Sequence, residues 1–166
     1  MAIAANREEF QQYFDNFLGR LGFDDIVTTL QLTPHDADGE SVTVAMPLTD
    51  AVAQASGMFS GAAMFGAADI AGTFLSMMAY ADSGQFPLVA QTSTNFLSNS
   101  KKGPALARAT LLRGGGSMAV VEATVSDAEG KALTHSTLTY VIKERAVGKQ
   151  VSQNHADLAE PRGPRV

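Results

Sequence analysis

The stretch GMFSGAAMFGAADIAGTFLSMMAYA, Gly57 to Ala81, decides the fold. It is rich in Ala, Gly and Met, and its length suits a helix rather than a strand. Between Ala51 and Ser100 the only charged residues are Asp69 and Asp82. About 20 apolar residues are enough to cross a bilayer. Yet Ser60, Gly61, Gly66, Gly72, Thr73 and Ser76 dilute this run, and neither flank carries the Lys or Arg that marks a span. The reading is therefore a central helix enclosed by a sheet. Its many small side chains let a neighbouring backbone approach closely.

The sequence on either side supplies the enclosing layers. Upstream, Phe10, Phe14, Phe17, Leu18 and Leu21 recur at helical spacing across Glu8 to Leu21, with Gly22 as the stop. Ile26 to Leu32 is expected as a strand, Pro34 to Gly39 as a turn, and Ser41 to Pro47 as a second strand with Val42, Val44 and Met46 alternating. These two strands form an expected hairpin. Downstream, Leu88 to Leu97, Ala105 to Leu112, Met118 to Ser126 and Ala132 to Ile142 read as strands. The first is unusually polar, with Gln91, Ser93 and Asn95 on one face. Turn signals at Gly114-Gly115-Gly116 and at Asp127 to Gly130 predict an antiparallel meander. The fold class is α+β, a sheet wrapped around one long apolar helix. Residues 1–25 are expected to pack as an N-terminal helix on a domain at 26–142, followed by a tail at 143–166.

Composition narrows the function. The chain has 166 residues, 45% hydrophobic, so it can bury a sizeable core. Only 17% are charged, below the usual value of about 25%, which predicts surface hidden in an oligomer. A net charge of −5 argues against a dedicated nucleic-acid binder, which needs a basic stripe. Cys is absent, removing thiolate metal sites and cysteine nucleophiles. His35, His135 and His155 lie far apart in sequence, and no metal site is expected. Met1 to Ala5 is apolar but short, and Arg7, Glu8 and Glu9 follow at once. That is not a secretory pattern, and the expected location is the cytoplasm.

The central helix carries the candidate chemistry. A carboxylate buried without a partner is costly, and no Lys or Arg lies within a turn or two of Asp69. Asp69 either faces water or caps another element, or it serves in an interface cleft as general base or nucleophile. Gly61 lies near the helix start, where the first amides have no intrahelical acceptor and attract negative charge. Its amide can stabilise an oxyanion. Asp69 stands eight residues later, about 12 Å along the axis at 1.5 Å per residue. One chain's Asp69 therefore cannot readily serve its own Gly61. Two antiparallel helices across a two-fold axis can, which predicts a homodimer with two equivalent interface sites.

The segment from Gly57 to Asp69 resembles the hotdog-fold acyl-CoA thioesterases of the PaaI and 4-hydroxybenzoyl-CoA thioesterase type. Their pattern is His-Gly-Gly at a helix start, with Asp or Glu eight residues after the first Gly. Asn95-Phe96-Leu97 with Lys101-Lys102-Gly103, and the segments Gly114 to Glu122 and Asp127 to Gly130, are similar to the family's third-strand exit and closing hairpins. The resemblance covers roughly Asp24 to Ile142. It implies that the Gly61 amide holds the thioester carbonyl and that Asp69 attacks it or activates water. It implies that Gln54 contacts the thioester or the lytic water. It places a water-binding hydroxyl at Thr73, which shares a helix face with Asp69. The plainer readings are a loop amide for Gln54 and a core hydroxyl for Thr73.

The chain departs from the pattern in having Ser60 for the family's His and Ala62 for its second Gly. Ser60 can still cap the helix and contact substrate. Coenzyme A would arrive as part of the substrate, with no other cofactor. Lys101, Lys102, Arg108 and Arg113 are the nearest cations for its phosphates. Phe65, Phe74, Met77 and Met78 line an acyl pocket or simply fill the core. The expectation is an acyl-CoA thioesterase acting as a homodimer, or a dimer of dimers, with no nucleic acid or membrane partner. The alternative is a non-catalytic acyl-CoA-binding or sensing protein of the same fold. A hotdog hydratase fits least, since no His lies on or near the central helix.

Overall fold

A computed structural model describes residues 2–81 and 85–144. The expected tail at 143–166 falls almost wholly outside them. The order is α1 (Arg7–Leu18), α2 (Ile26–Thr29), β1 (Thr33–Ala37), β2 (Ser41–Met46), α3 (Gly61–Tyr80), β3 (Gln85–Phe96), β4 (Ala105–Gly115), β5 (Met118–Ser126) and β6 (Ala132–Glu144). The six strands form one antiparallel sheet in the order β1-β2-β4-β5-β6-β3.

Helix α3 lies in the hollow of this sheet. The inward positions of β4 are Ala105, Ala107 and Ala109, and those of β5 include Ala119 and Ala123, all buried. They face Ala63, Ala67, Ala68 and Ala71 of the helix, also buried. Small side chains on both layers let helix and sheet close together, while Val42, Val44, Met46, Val121, Val125 and Leu138 fill the flanks. Helix α3 is long and apolar enough to cross a membrane, but 61% of that stretch is buried inside the fold. Helix α1 covers its remaining side. Phe10, Tyr13, Phe14 and Phe17 surround Phe74, and Phe14 stacks on it at 4.9 Å between ring centres.

Three expectations are corrected. Ile26 to Leu32 is not a strand. The Asp25 carboxylate accepts hydrogen bonds from the Val27 and Thr28 amides and caps the short helix α2. Local capping outweighs the β-branched composition. The hairpin therefore forms one segment later, between β1 and β2, and β1 includes Pro34 and Asp36, which had read as turn. Pro34 is tolerated because β1 is an edge strand with a bulge beside it.

The last four strands are not one meander. Tight turns join β4, β5 and β6, but residues 97–104 carry the chain from β3 across to β4, so β3 pairs with β6 at the far edge. Finally, α1 ends at Leu18 with Gly19 as its cap, short of the expected Leu21.

Candidate active site

Asp69 sits mid-helix on the side of α3 that meets β6. Tyr140, inward on β6 and fully buried, donates its hydroxyl to the Asp69 main-chain carbonyl at 2.8 Å and to carboxylate Oδ1 at 3.0 Å. Thr73, one turn on, stands beside the same phenol. The three hydroxyl and carboxylate groups thus converge on one point. Gly72 makes it possible: a Cβ there would lie 2.4 Å from the Tyr140 oxygen. Burial pushes the Asp69 carboxyl above its ordinary range, and the Tyr140 hydrogen bond opposes that shift. Burial and the adjacent Asp69 charge push the Tyr140 phenol upward, so it remains a donor at ordinary pH.

Asp69 opens into a cleft of about 260 Å³. Ile70, Thr73, Phe74 and Met77 of α3 form one wall, with Phe17 of α1 beside them. Asp25, the cap of α2, with Ile26 and Val27 of that helix, and Phe86 to Val89 of β3 form the others. Of the side chains proposed for an apolar pocket, Phe74 and Met77 line it. Met78 is buried in the core and Phe65 packs against that core, half-buried.

The other candidates gather at the N-terminal end of α3. Ser60 caps it, its Oγ accepting from the Ala63 amide at 3.1 Å. Among the described residues the Gly61 and Ala62 amides find no acceptor. The Phe96 ring edge is 3.1 Å from where a Gly61 Cβ would stand, so Gly leaves that amide more approachable than a larger residue would. Gln54 spends its side chain on its own turn, donating to the Ser56 hydroxyl at 2.6 Å and accepting from the Ser56 amide at 2.8 Å. The loop is pinned from outside. The Asn99 amide donates to the Phe59 carbonyl, and the Ser100 hydroxyl donates to Asp127 at 2.7 Å.

Lys101 brings its ammonium near Gly57, beside this helix end. Lys102 pairs with Glu129 across the loop. Arg108 lies elsewhere, paired with Asp38 at 2.9 Å and hydrogen-bonded to Ser41. Arg113 belongs to the far β4–β5 hairpin. The four cations therefore do not form one cluster.

The arrangement offers two half-sites. One holds a carboxylate at the mouth of an apolar cleft. The other holds free helix amides with a cation nearby. Sequence reasoning placed Asp69, Thr73 and Gly61 but missed Tyr140 and the cleft walls from α1, α2 and β3. Alternation along β6 puts Tyr140 inward with Leu138, and the small Gly72 is the only sequence hint that an aromatic ring approaches the helix there.

Residues 56–134 match the family model described as the thioesterase superfamily. No curated protein matches the chain. Among solved structures, a thioesterase from Haemophilus influenzae is similar at 19% identity and a TM-score of 0.71, covering 86% of this chain and 94% of that one. A phenylacetic acid degradation-related protein from Ralstonia eutropha is similar at 21% identity and a TM-score of 0.68, covering 78% and 98%. A Streptococcus mutans protein solved with acetyl-CoA bound is similar at 20% identity and a TM-score of 0.60, covering 69% and 90%.

Proposed function

We propose that this hotdog-fold chain, whose residues 56–134 carry the thioesterase-superfamily match, is an acyl-CoA thioesterase. The observation that carries the reading is Asp69: a half-buried carboxylate, fixed on a buried helix, at the mouth of an apolar cleft. The acyl or aryl group enters that cleft, with the thioester carbonyl at its mouth. The cleft's roughly 260 Å³ is at the small end for ligand pockets and suits a short chain or a single ring.

Asp69 activates water against the carbonyl carbon or attacks it directly. With Asp69 as base, the proton it takes from water passes to the departing coenzyme A thiolate as the C–S bond breaks. With direct attack, the C–S bond breaks to leave a mixed anhydride on Asp69. Water then hydrolyses that anhydride, its proton going to the thiolate. The Gly61 amide holds the developing oxyanion from the opposite subunit, because its own Asp69 lies too far along the helix. The dimer is supported by the exposure of the outermost strand: Leu88, Val89 and Phe96 of β3, and Leu97 after it, are 42 to 59% exposed. Strand β3 also lies at the sheet edge, and such an edge invites pairing with a second copy. Lys101 is the better placed cation for the coenzyme phosphates, since Lys102 is engaged by Glu129. Gln54 reaches the thioester only by giving up its contacts with Ser56.

The test is thiol release from a panel of short-chain, long-chain and aromatic acyl-CoAs, with wild type beside Asp69→Asn. The reading expects turnover on at least one class, collapsing in the variant. Tight binding of a CoA thioester with no turnover would instead favour a binding protein, the outcome to which Ser60 in the family's His position points.

A further inference from the structure

We propose that Tyr140 is a positioning residue for Asp69, its hydroxyl holding one carboxylate oxygen against the helix so that the other faces the cleft. The inference rests on the reading of Asp69 as the reacting carboxylate. The phenol has one proton, and that proton is shared between the Asp69 main-chain carbonyl at 2.8 Å and Oδ1 at 3.0 Å. A ring fixed relative to the helix backbone thereby fixes the carboxylate relative to the same backbone.

The ring itself cannot drift. Tyr140 is fully buried and paired with Ala119 on one side and Val89 on the other. Gly72 leaves the gap into which the hydroxyl fits, and Thr73 stands beside the same oxygen. Among the described residues, Oδ2 of Asp69 has no hydrogen-bond partner.

The phenol also matters because little else steadies the charge. Among the described residues, no Lys, Arg or His lines the cleft. From α2 the facing titratable group is Asp25, whose carboxylate is spent on the Val27 and Thr28 amides. From α1 and β3 the walls are Phe17 and Phe86 to Val89. Among the described residues, Tyr140 is therefore the one side-chain donor to a carboxylate that burial disfavours.

Two variants test this. Tyr140→Phe removes the donor and keeps the ring. The expected result is an acid limb of kcat/KM that moves to higher pH, and a kcat on the plateau about tenfold lower with KM little changed. Site-specific 3-fluorotyrosine at position 140 keeps the fold and is a stronger donor, so the acid limb should move to lower pH. A carbon-13 titration of the Asp69 carboxyl in both variants should move in the same two directions, whether or not turnover is measured.

An acid limb and a carboxyl titration that stay put in both proteins, while the melting temperature falls, would reduce Tyr140 to a packing residue. If Tyr140→Phe does not fold, the fluorotyrosine protein decides alone. Wild-type turnover in Asp69→Asn would overturn the reaction assigned to Asp69, and the carboxyl titration would still decide whether Tyr140 governs that group.

Discussion

At the scale of single residues, the cost of the site and its use are the same feature. Asp69 titrates near its ordinary value of about 3.9 in the unfolded chain and higher in the folded one, because burial disfavours its charge. Its contribution to stability is complete below the unfolded value and is lost as pH rises through the folded one. Asp69→Asn removes the ionisable group while its amide oxygen can still accept from Tyr140. The variant should therefore lose turnover by about 10²- to 10⁴-fold, yet melt above wild type at neutral pH. The gap in melting temperature should close as the pH is lowered into the acid range. Scans of both proteins across pH check this, and a wild type that stays the more stable at neutral pH would contradict it. Gly72→Ala probes the same spot from the helix side. A Cβ 2.4 Å from the Tyr140 oxygen must displace either ring or helix, with overpacking costs of about 1 to 3 kcal/mol by denaturant titration. Activity should fall with it, because the hydroxyl cannot stay on Asp69.

At the scale of elements, α1 and α2 turn a bare helix-and-sheet fold into one with a walled cleft. Phe14 is buried and stacked on Phe74, which lines that cleft. Phe14→Ala should cost about 3 to 5 kcal/mol, and should raise KM for the preferred thioester more than it lowers kcat at temperatures where the variant stays folded. Urea melts and steady-state kinetics separate the two effects. The sequence shows these elements unevenly. Helix α3 and strands β2, β4, β5 and β6 are legible because each is long enough to display a period or an alternation that burial then enforces. Met118–Ser126 matches its expected bounds for that reason. Helix α2 has four residues, Ile-Val-Thr-Thr, too few to show a period and β-branched throughout. Only Asp25 before it signalled a helix start. Strand β3 was legible as a strand but not as an edge, since alternation records which face a residue takes and not which strand lies beside it. Of the site, Asp69 stands out in the sequence as a lone carboxylate on an apolar helix, while Gly61 and Thr73 were singled out chiefly by the family resemblance. Tyr140 comes from 71 residues away, and no local pattern reports a contact of that range.

At the scale of the molecule, the question is whether the two half-sites meet. Gly61 and Asp69 share a helix, yet about 12 Å of axial rise separates them, too far for both to act on one carbonyl. The exposed β3 edge and its apolar side chains offer a surface on which a second copy can bring its own half-sites. A dimer would sediment at about 35 kDa, twice the 17.4 kDa chain, but mass alone does not show a shared site. Mixed subunits do. Asp69→Asn and Gly61→Val should each be inactive as homodimers, the second because its side chain meets Phe96 and covers the amide. Coexpressed at equal levels, half of the dimers carry one chain of each kind. Such a dimer has one site with both defects and one with none. Activity should recover to about a quarter of wild type if each site draws on two subunits. If a single chain supplied both groups, every site in the mixture would keep one defect, and the coexpressed protein would be as inactive as its parents.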